Sequence, residues 1–90
     1  MRDVPGRNRF ELLVDGDYAG RADYRVRDGV VVIVHSEVDE RFRGQGLGSK
    51  LVTRTLDLLR SRGEKVKVVC PFFAAYVEKH PDEYADIIVA

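Results

Sequence analysis

A glycine-rich stretch carries the clearest chemical signal in the sequence: Arg43-Gly44-Gln45-Gly46-Leu47-Gly48-Ser49. The most apolar run of the chain, residues 30–34, precedes it, and an amphipathic pattern over residues 51–62 follows it. We therefore predict a buried strand, a glycine turn and the start of a helix. Backbone amides of such a turn and the unpaired first N–H groups of a helix bind anions, and the helix dipole adds positive potential. The expected ligand carries a phosphate.

The spacing within this stretch excludes two common phosphate-binding motifs. The Walker A motif requires Lys directly after its last Gly, whereas Ser49 separates Gly48 from Lys50. The dinucleotide fingerprint requires two residues between its last two glycines, whereas only Leu47 separates Gly46 from Gly48. A strand-to-helix turn without a ligand is the alternative. If a phosphate approaches the amides closely, neither Gly46 nor Gly48 should have room for a side chain.

Three further side chains are of types suited to proton or acyl transfer. Glu37 could accept a proton from a substrate group, directly or through water, and so could His35, because imidazoles accept protons near neutral pH. Cys70 could act as a nucleophile or contact a thiol. The structural alternatives are a solvated carboxylate, a hydrogen-bonded histidine and a small buried hydrophobic side chain. We expect no metal, because His35, Cys70 and His80 lack the spacing of metal ligands.

The elements that must position these residues begin with an antiparallel meander. Apolar alternation predicts strands over residues 10–14 and 18–26, and a third strand over residues 30–38. Asp15-Gly16-Asp17 and Asp28-Gly29 predict the two tight turns between them. Because the third strand begins with consecutive apolar residues, we expect it to be central and covered on both faces.

A parallel strand–helix–strand unit is expected in the second half. Apolar residues between positions 47 and 59 share one helical face, and Gly63 is placed to end that helix. Residues 66–70 predict a fourth strand, parallel to the third through a right-handed crossover. A short second helix should begin at Pro71 and end before Pro81.

This topology brings the candidate residues together. Ligands of open α/β sheets bind at the carboxyl ends of the parallel strands. The glycine-rich stretch, His35, Glu37 and Cys70 should therefore lie in one small neighbourhood. His35 and Glu37, two residues apart, should project from the same face of their strand.

Length and composition set the remaining limits. The 90 residues predict a single domain, residues 1–90, with a loose lead-in over residues 1–9 and either an edge strand or a packed tail over residues 87–89. The 15 basic and 15 acidic residues balance, which gives no argument for nucleic acid or for a membrane partner. The single cysteine and the absence of a long apolar run favour a cytoplasmic protein. We expect a monomer.

The pattern Arg43-x-x-Gly46-x-Gly48, after a valine-rich strand, resembles the signature of the GNAT superfamily of acyl-CoA N-acetyltransferases. The resemblance covers residues 30–80 and is closest to the short, single-domain type, on the segments His35-Ser36-Glu37-Val38, Cys70-Pro71-Phe72, Tyr76 and His80-Pro81. It implies a mixed α/β, minimal GNAT fold that lacks the N-terminal helices forming the acceptor site of larger members. Most of the superfamily has an Asn where this chain has Cys70.

The same resemblance implies roles for individual residues. Acetyl-CoA would be the co-substrate, with its pyrophosphate held by residues 43–49 and its pantetheine arm on the backbone of Val38. Tyr76 would protonate the CoA thiolate. The implied activity is acetyl transfer to an amine: a polyamine, another small amine or a protein lysine. Transfer would be direct, with Glu37 or His35 as base, or would pass through an acetylated Cys70.

Two alternatives to an enzyme remain at this point. The chain could be a CoA-binding or interaction module that keeps the fold without efficient chemistry. It could also be a plain α/β structural domain in which the glycine-rich stretch is only a turn.

Overall fold

The computed structural model describes residues 1–89 as a five-stranded sheet with two α-helices. The elements, in chain order, are β1 (Arg2–Val4), β2 (Arg9–Val14), β3 (Asp17–Arg27), β4 (Val30–Val38), α1 (Leu47–Ser61), β5 (Lys65–Val68) and α2 (Pro71–Lys79). The strands lie in sequence order; the first four are antiparallel, while β4 and β5 are parallel. The predicted meander, parallel unit and short second helix are confirmed.

Glycine turns define the meander, as the sequence predicts. Asp15 and Gly16 have φ values of 50° and 85°, and Asp28 and Gly29 have values of 52° and 76°. Two successive left-handed residues form a turn whose twist matches that of the flanking strands. Gly63, with φ 71°, likewise follows the end of α1.

The expectation of a loose lead-in over residues 1–9 is wrong. Arg2–Val4 form an edge strand that pairs antiparallel with β2. The reason is Glu11, which is only 4% exposed and whose carboxylate accepts hydrogen bonds from Arg2 and from Nε of Arg9, the latter at 2.8 Å. The hydrogen bond from Arg2 is the main cause that lowers the pKa of Glu11. A buried carboxylate requires such partners, so the edge strand covers it and supplies one.

Both helices pack on one face of the sheet, so the prediction that β4 is covered on both faces is also wrong. Val31 and Ile33 are buried in one core with residues of α1 and α2. Val30, Val32 and Val34 lie on the opposite face and are partly exposed. Arg25, Arg27 and Lys67 line the same concave surface. The aliphatic stems of Arg and Lys side chains can cover apolar surface. The apolar residues of β4 therefore do not require a second layer of helices on this face.

A β-bulge interrupts β4 before the candidate site. Asp23 pairs with His35, but the next residue of β3, Tyr24, pairs with Ile33, so Val34 is an extra residue in β4. A bulge shifts the alternation of side chains by one position and bends the strand. His35 and Glu37 consequently point to the face of the sheet opposite the helices, here called the open face, although Ile33 points to the helices.

The two parallel strands diverge at the same place. Their pairing ends at Ile33 and Val68, and the carbonyl of Ile33 accepts hydrogen bonds from the amides of Val69 and Cys70, both at 2.9 Å. Within residues 1–89, no strand pairs with the β5-facing edge of residues 35–38. This edge is open to a ligand's hydrogen bonds.

The C-terminal segment is a packed tail that protects the other edge of β5. The amide of Val66 donates to the carbonyl of Ile87, and the amide of Val89 donates to the carbonyl of Val66, each at 2.8 Å. Tyr84 is 1% exposed, and its hydroxyl donates to Asp57 at 3.0 Å. The tail therefore covers an edge that would otherwise be free to pair with a second copy.

Thr55→Val is expected to stabilise the protein by about 1 kcal/mol, because an unpaired buried hydroxyl costs free energy that an isosteric apolar group avoids. Thr55 is fully buried, and its Oγ1 has no hydrogen-bond partner among the residues described. Urea unfolding measures the change. Thr53→Val is the control, because the Thr53 hydroxyl donates to the carbonyl of Lys50 at 3.3 Å; it should not stabilise. Equal effects of the two substitutions would contradict the argument.

Among residues 1–89, no helix is long and apolar enough to cross a membrane.

Candidate functional site

The glycine-rich stretch joins the end of β4 to α1 through a short, well-defined turn. A 3-10 turn, Glu40–Phe42, is capped by Asp39, whose side chain accepts from the amide of Arg41 at 3.0 Å. Gly44 and Gly46 then adopt left-handed conformations, with φ values of 81° and 71°. These conformations favour glycine because it has no Cβ.

The first turn of α1 leaves its amides open. Gly46 occupies the N-cap position, no side chain of residues 1–89 forms a capping hydrogen bond there, and the first turn contains no acidic residue. Lys50 lies in this turn, and Arg43 precedes it. Open N–H groups at the positive end of the helix, flanked by two cations, have the chemistry that a pyrophosphate requires.

We expected neither Gly46 nor Gly48 to have room for a side chain; among residues 1–89, protein atoms crowd a Cβ at Gly48 but not at Gly46. A Cβ on Gly46 would meet no atom of the described residues within 4 Å, so the left-handed backbone, and not crowding, favours Gly there. A Cβ on Gly48 would lie 2.6 Å from the ring of Phe72 in α2. The ring of Phe72, which is half exposed, therefore lies against the start of α1.

His35 and Glu37 project from the same face of β4, as predicted, and contact each other. Nε2 of His35 lies 3.1 Å from Oε1 of Glu37, while Nη1 of Arg21 donates to Oε2 of Glu37 at 2.8 Å. The hydrogen bond with His35 and then the charge of Arg21 hold the pKa of Glu37 below its usual range. Glu37 is therefore ionised at neutral pH and can only accept hydrogen bonds.

The ionised Glu37 determines which nitrogen of His35 carries the proton. Since the carboxylate has no proton to donate, Nε2 of His35 must be the donor. In the neutral imidazole, Nδ1 then has the free lone pair. The pair can therefore present one proton acceptor to the open side of the sheet.

Cys70 lies close to the same strand end but contacts a different residue. Its Sγ is 3.2 Å from Oγ of Ser36, and Cys70, at the N-cap of α2, is 2% exposed. Side chains alternate along a strand, so Ser36 points away from His35 and Glu37. The candidate residues therefore lie near the same end of β4 but on opposite faces of it. The His35–Glu37 pair is on one face and the thiol of Cys70 is on the other.

Tyr76 lies beside Ser49, at the end of the glycine-rich stretch. It lines a hollow with Ser49 and Phe72, and its ring stacks on that of His80 with 4.3 Å between centroids. Burial and the nearby Glu83 raise the pKa of Tyr76. Tyr76 keeps its proton at neutral pH and could donate it.

The site also includes residues that the sequence did not indicate. An open hollow of about 580 Å³ contains Glu37, Val38 and Arg43, as expected, and also Arg21 and Tyr18 from β3. The strand pairing brings them there, with Arg21 directly opposite Glu37. No local pattern indicates that pairing. Ser36 could have been found, because it separates two candidate residues on the same strand.

Residues 1–89 contain no group of three or more His, Cys, Asp or Glu side chains placed to hold a metal ion.

Comparison with known families agrees with this geometry. The family model described as GCN5-related N-acetyl-transferase matches residues 9–87. No curated protein matches the chain. The match includes both helices, the glycine-rich stretch and every strand except β1. The chain therefore belongs to the GCN5-related N-acetyltransferase family, of which it has a minimal fold.

Proposed function

We propose that this protein transfers an acetyl group from acetyl-CoA to an amine. The observation that carries the proposal is the divergence of β4 and β5 after Ile33. It leaves a strand edge open directly before the turn that exposes the first amides of α1. A long ligand with an anionic part and an amide-containing arm would be complementary to both features.

The chain's own groups suit the two parts of acetyl-CoA. The amides of residues 44–49 would hold the pyrophosphate, and the guanidinium of Arg43 would add a charge-assisted contact. The backbone of Val38, on the open edge of β4, would hydrogen-bond the pantetheine arm as an added strand does. When bound, acetyl-CoA supplies the activated acetyl group.

Proton transfer is assigned to His35, with Glu37 as its orienting partner. Nδ1 of His35 accepts the proton that the acceptor amine loses as the nitrogen bonds to the acetyl carbon. Glu37, already engaged by Arg21, stabilises the resulting imidazolium. Protonation of the departing thiolate is assigned to Tyr76, as the family resemblance implies. A lowered pKa makes Glu37 a poor proton acceptor at neutral pH.

Direct transfer is favoured over an acetylated cysteine. The thiol of Cys70 is buried and engaged with Ser36, whereas reactive cysteines are at least partly accessible. The thiol lies beside the strand edge assigned to the pantetheine arm. Its proposed role is to pack against the end of that arm.

A binding module without efficient chemistry is the second candidate. The observation that favours it is the exposure of the proposed base: the side chains of His35 and Glu37 are 53% and 54% exposed. Water reaches a base that is this exposed and competes with the acceptor amine for contact with it.

Two assays test the proposal. Acetyl-CoA should raise the unfolding temperature, because a ligand that binds only the folded state stabilises it. Release of free CoA should then depend on an added amine from a panel of polyamines, small amines and lysine peptides. A thermal shift without amine-dependent release supports the binding module, and no thermal shift excludes both candidates.

Cys70→Ala should retain most of its turnover, because direct transfer makes no bond to sulfur. Incubation of the wild type with acetyl-CoA alone, followed by intact-mass measurement, should show no acetyl adduct. A stable adduct that disappears in Cys70→Ala, together with loss of turnover, would instead establish double displacement. Calorimetry with CoA checks that the variant still binds.

A further inference from the structure

Four charged or titratable side chains form a square on the open face of the sheet. Arg21 and Asp23 of β3 lie opposite Glu37 and His35 of β4, respectively. Each pair of positions is two residues apart on its strand, so all four side chains project from one face. The bulge at Val34 brings His35 and Glu37 to this face.

Hydrogen bonds connect the four side chains in the order Asp23, Arg21, Glu37, His35. Nε of Arg21 donates to both carboxylate oxygens of Asp23, at 3.2 and 3.3 Å, which fixes the guanidinium. Nη1 of Arg21 donates to Oε2 of Glu37 at 2.8 Å. The second oxygen of Glu37, Oε1, contacts Nε2 of His35 at 3.1 Å. Each oxygen of Glu37 thus has a separate partner.

We propose that Arg21 is a positioning residue for the proton-transfer step. By holding one oxygen of Glu37, it directs the other to Nε2 of His35 and keeps Nδ1 of the imidazole free toward the acceptor. This inference rests on the proposed function, in which His35 is the base.

The arrangement requires an arginine. Its planar guanidinium presents donors in a fixed fork, so one side chain contacts Asp23 and Glu37 at once. Arg21 and Asp23 are 26% and 29% exposed, whereas Glu37 is 54% exposed. The less exposed Arg21–Asp23 pair therefore holds the more exposed carboxylate of Glu37 in position. Without Arg21, Glu37 would keep only His35 among its partners in the described part of the chain, and both side chains could rotate into solvent.

The position of the ring proton can be measured without any turnover. We expect the ¹⁵N shifts of His35, recorded where the imidazole is neutral, to be those of a pure Nε2–H tautomer. In Arg21→Gln they should move toward the mixed values of free histidine. Arg25→Gln is the matched control, because Arg25 lies on the same face of β3 and forms no ion pair among residues 1–89; its shifts should match the wild type. Unchanged shifts in Arg21→Gln would overturn the inference.

Kinetics supply a second, independent readout. Arg21→Gln should lower kcat by about tenfold or more, the equivalent of one charge-assisted hydrogen bond, without changing the KM for acetyl-CoA. Added guanidinium should restore part of the kcat of Arg21→Ala but none of the kcat of Glu37→Gln. A loss seen only in KM, or no rescue, would contradict positioning. If His35→Gln retains full turnover, the assignment of the base fails, whereas the tautomer experiment still decides the role of Arg21.

Discussion

His35→Gln is expected to lower kcat for amine acetylation by about 100-fold or more, the usual contribution of a positioned general base. Glutamine can keep a hydrogen bond to Glu37 but cannot accept the amine's proton at neutral pH. The affinity for acetyl-CoA should not change, because His35 faces the open side of the sheet and lies outside the glycine-rich stretch. Steady-state kinetics and calorimetry measure the two effects separately.

Glu37→Gln distinguishes the two candidate bases. If His35 is the base, Glu37→Gln loses less activity than His35→Gln, because the imidazole remains and loses only its anionic partner. If Glu37 were the base, Glu37→Gln would lose most of the activity and His35→Gln would retain much of it. Circular dichroism should show that both variants remain folded, since the two side chains are about half exposed.

Gly48→Val is expected to leave the protein folded and to weaken acetyl-CoA binding by about tenfold or more. The Cβ would lie 2.6 Å from the outer end of the Phe72 ring, which is half exposed and can rotate away. The branched side chain would then crowd the amides at the start of α1. Valine costs a helix less than glycine does, so the helix itself should persist. Calorimetry measures the affinity.

The double variant Gly48→Val with Phe72→Ala separates crowding of the amides from displacement of the ring. Removal of the ring leaves space for the valine, so any remaining loss of affinity must come from the amides. We expect the double variant to bind as weakly as Gly48→Val alone. Recovery of wild-type affinity would remove the pyrophosphate contact from the proposed function, and Phe72→Ala alone gives the baseline.

The features predictable from the sequence are those fixed by local sterics. Asp28-Gly29 forms a tight turn because Gly, and Asp to a lesser degree, tolerate the left-handed region. Gly63 follows the end of α1, and Pro71 begins α2, for similarly local reasons. The shared face of His35 and Glu37 followed from the two-residue period of a strand.

The features that escaped prediction depend on contacts between distant residues. The extra residue at Val34 is visible only once β3 and β4 are paired, and it decides which face His35 occupies. The edge strand at Arg2–Val4 exists because Glu11 needs a partner from outside its own strand. The position of Arg21 opposite Glu37 likewise depends on register, which a single sequence specifies only weakly when the face is polar.

In the proposed function, the open amides at the start of α1 bind the pyrophosphate of acetyl-CoA. Calorimetry with acetyl-CoA and with acetyl-pantetheine, which has the same arm and acetyl group but no pyrophosphate, tests it most directly. We expect one acetyl-CoA per chain, bound about 100-fold more tightly than acetyl-pantetheine, because several charge-assisted hydrogen bonds are lost with the pyrophosphate. Equal affinity for the two compounds, or no binding of acetyl-CoA, would contradict the claim.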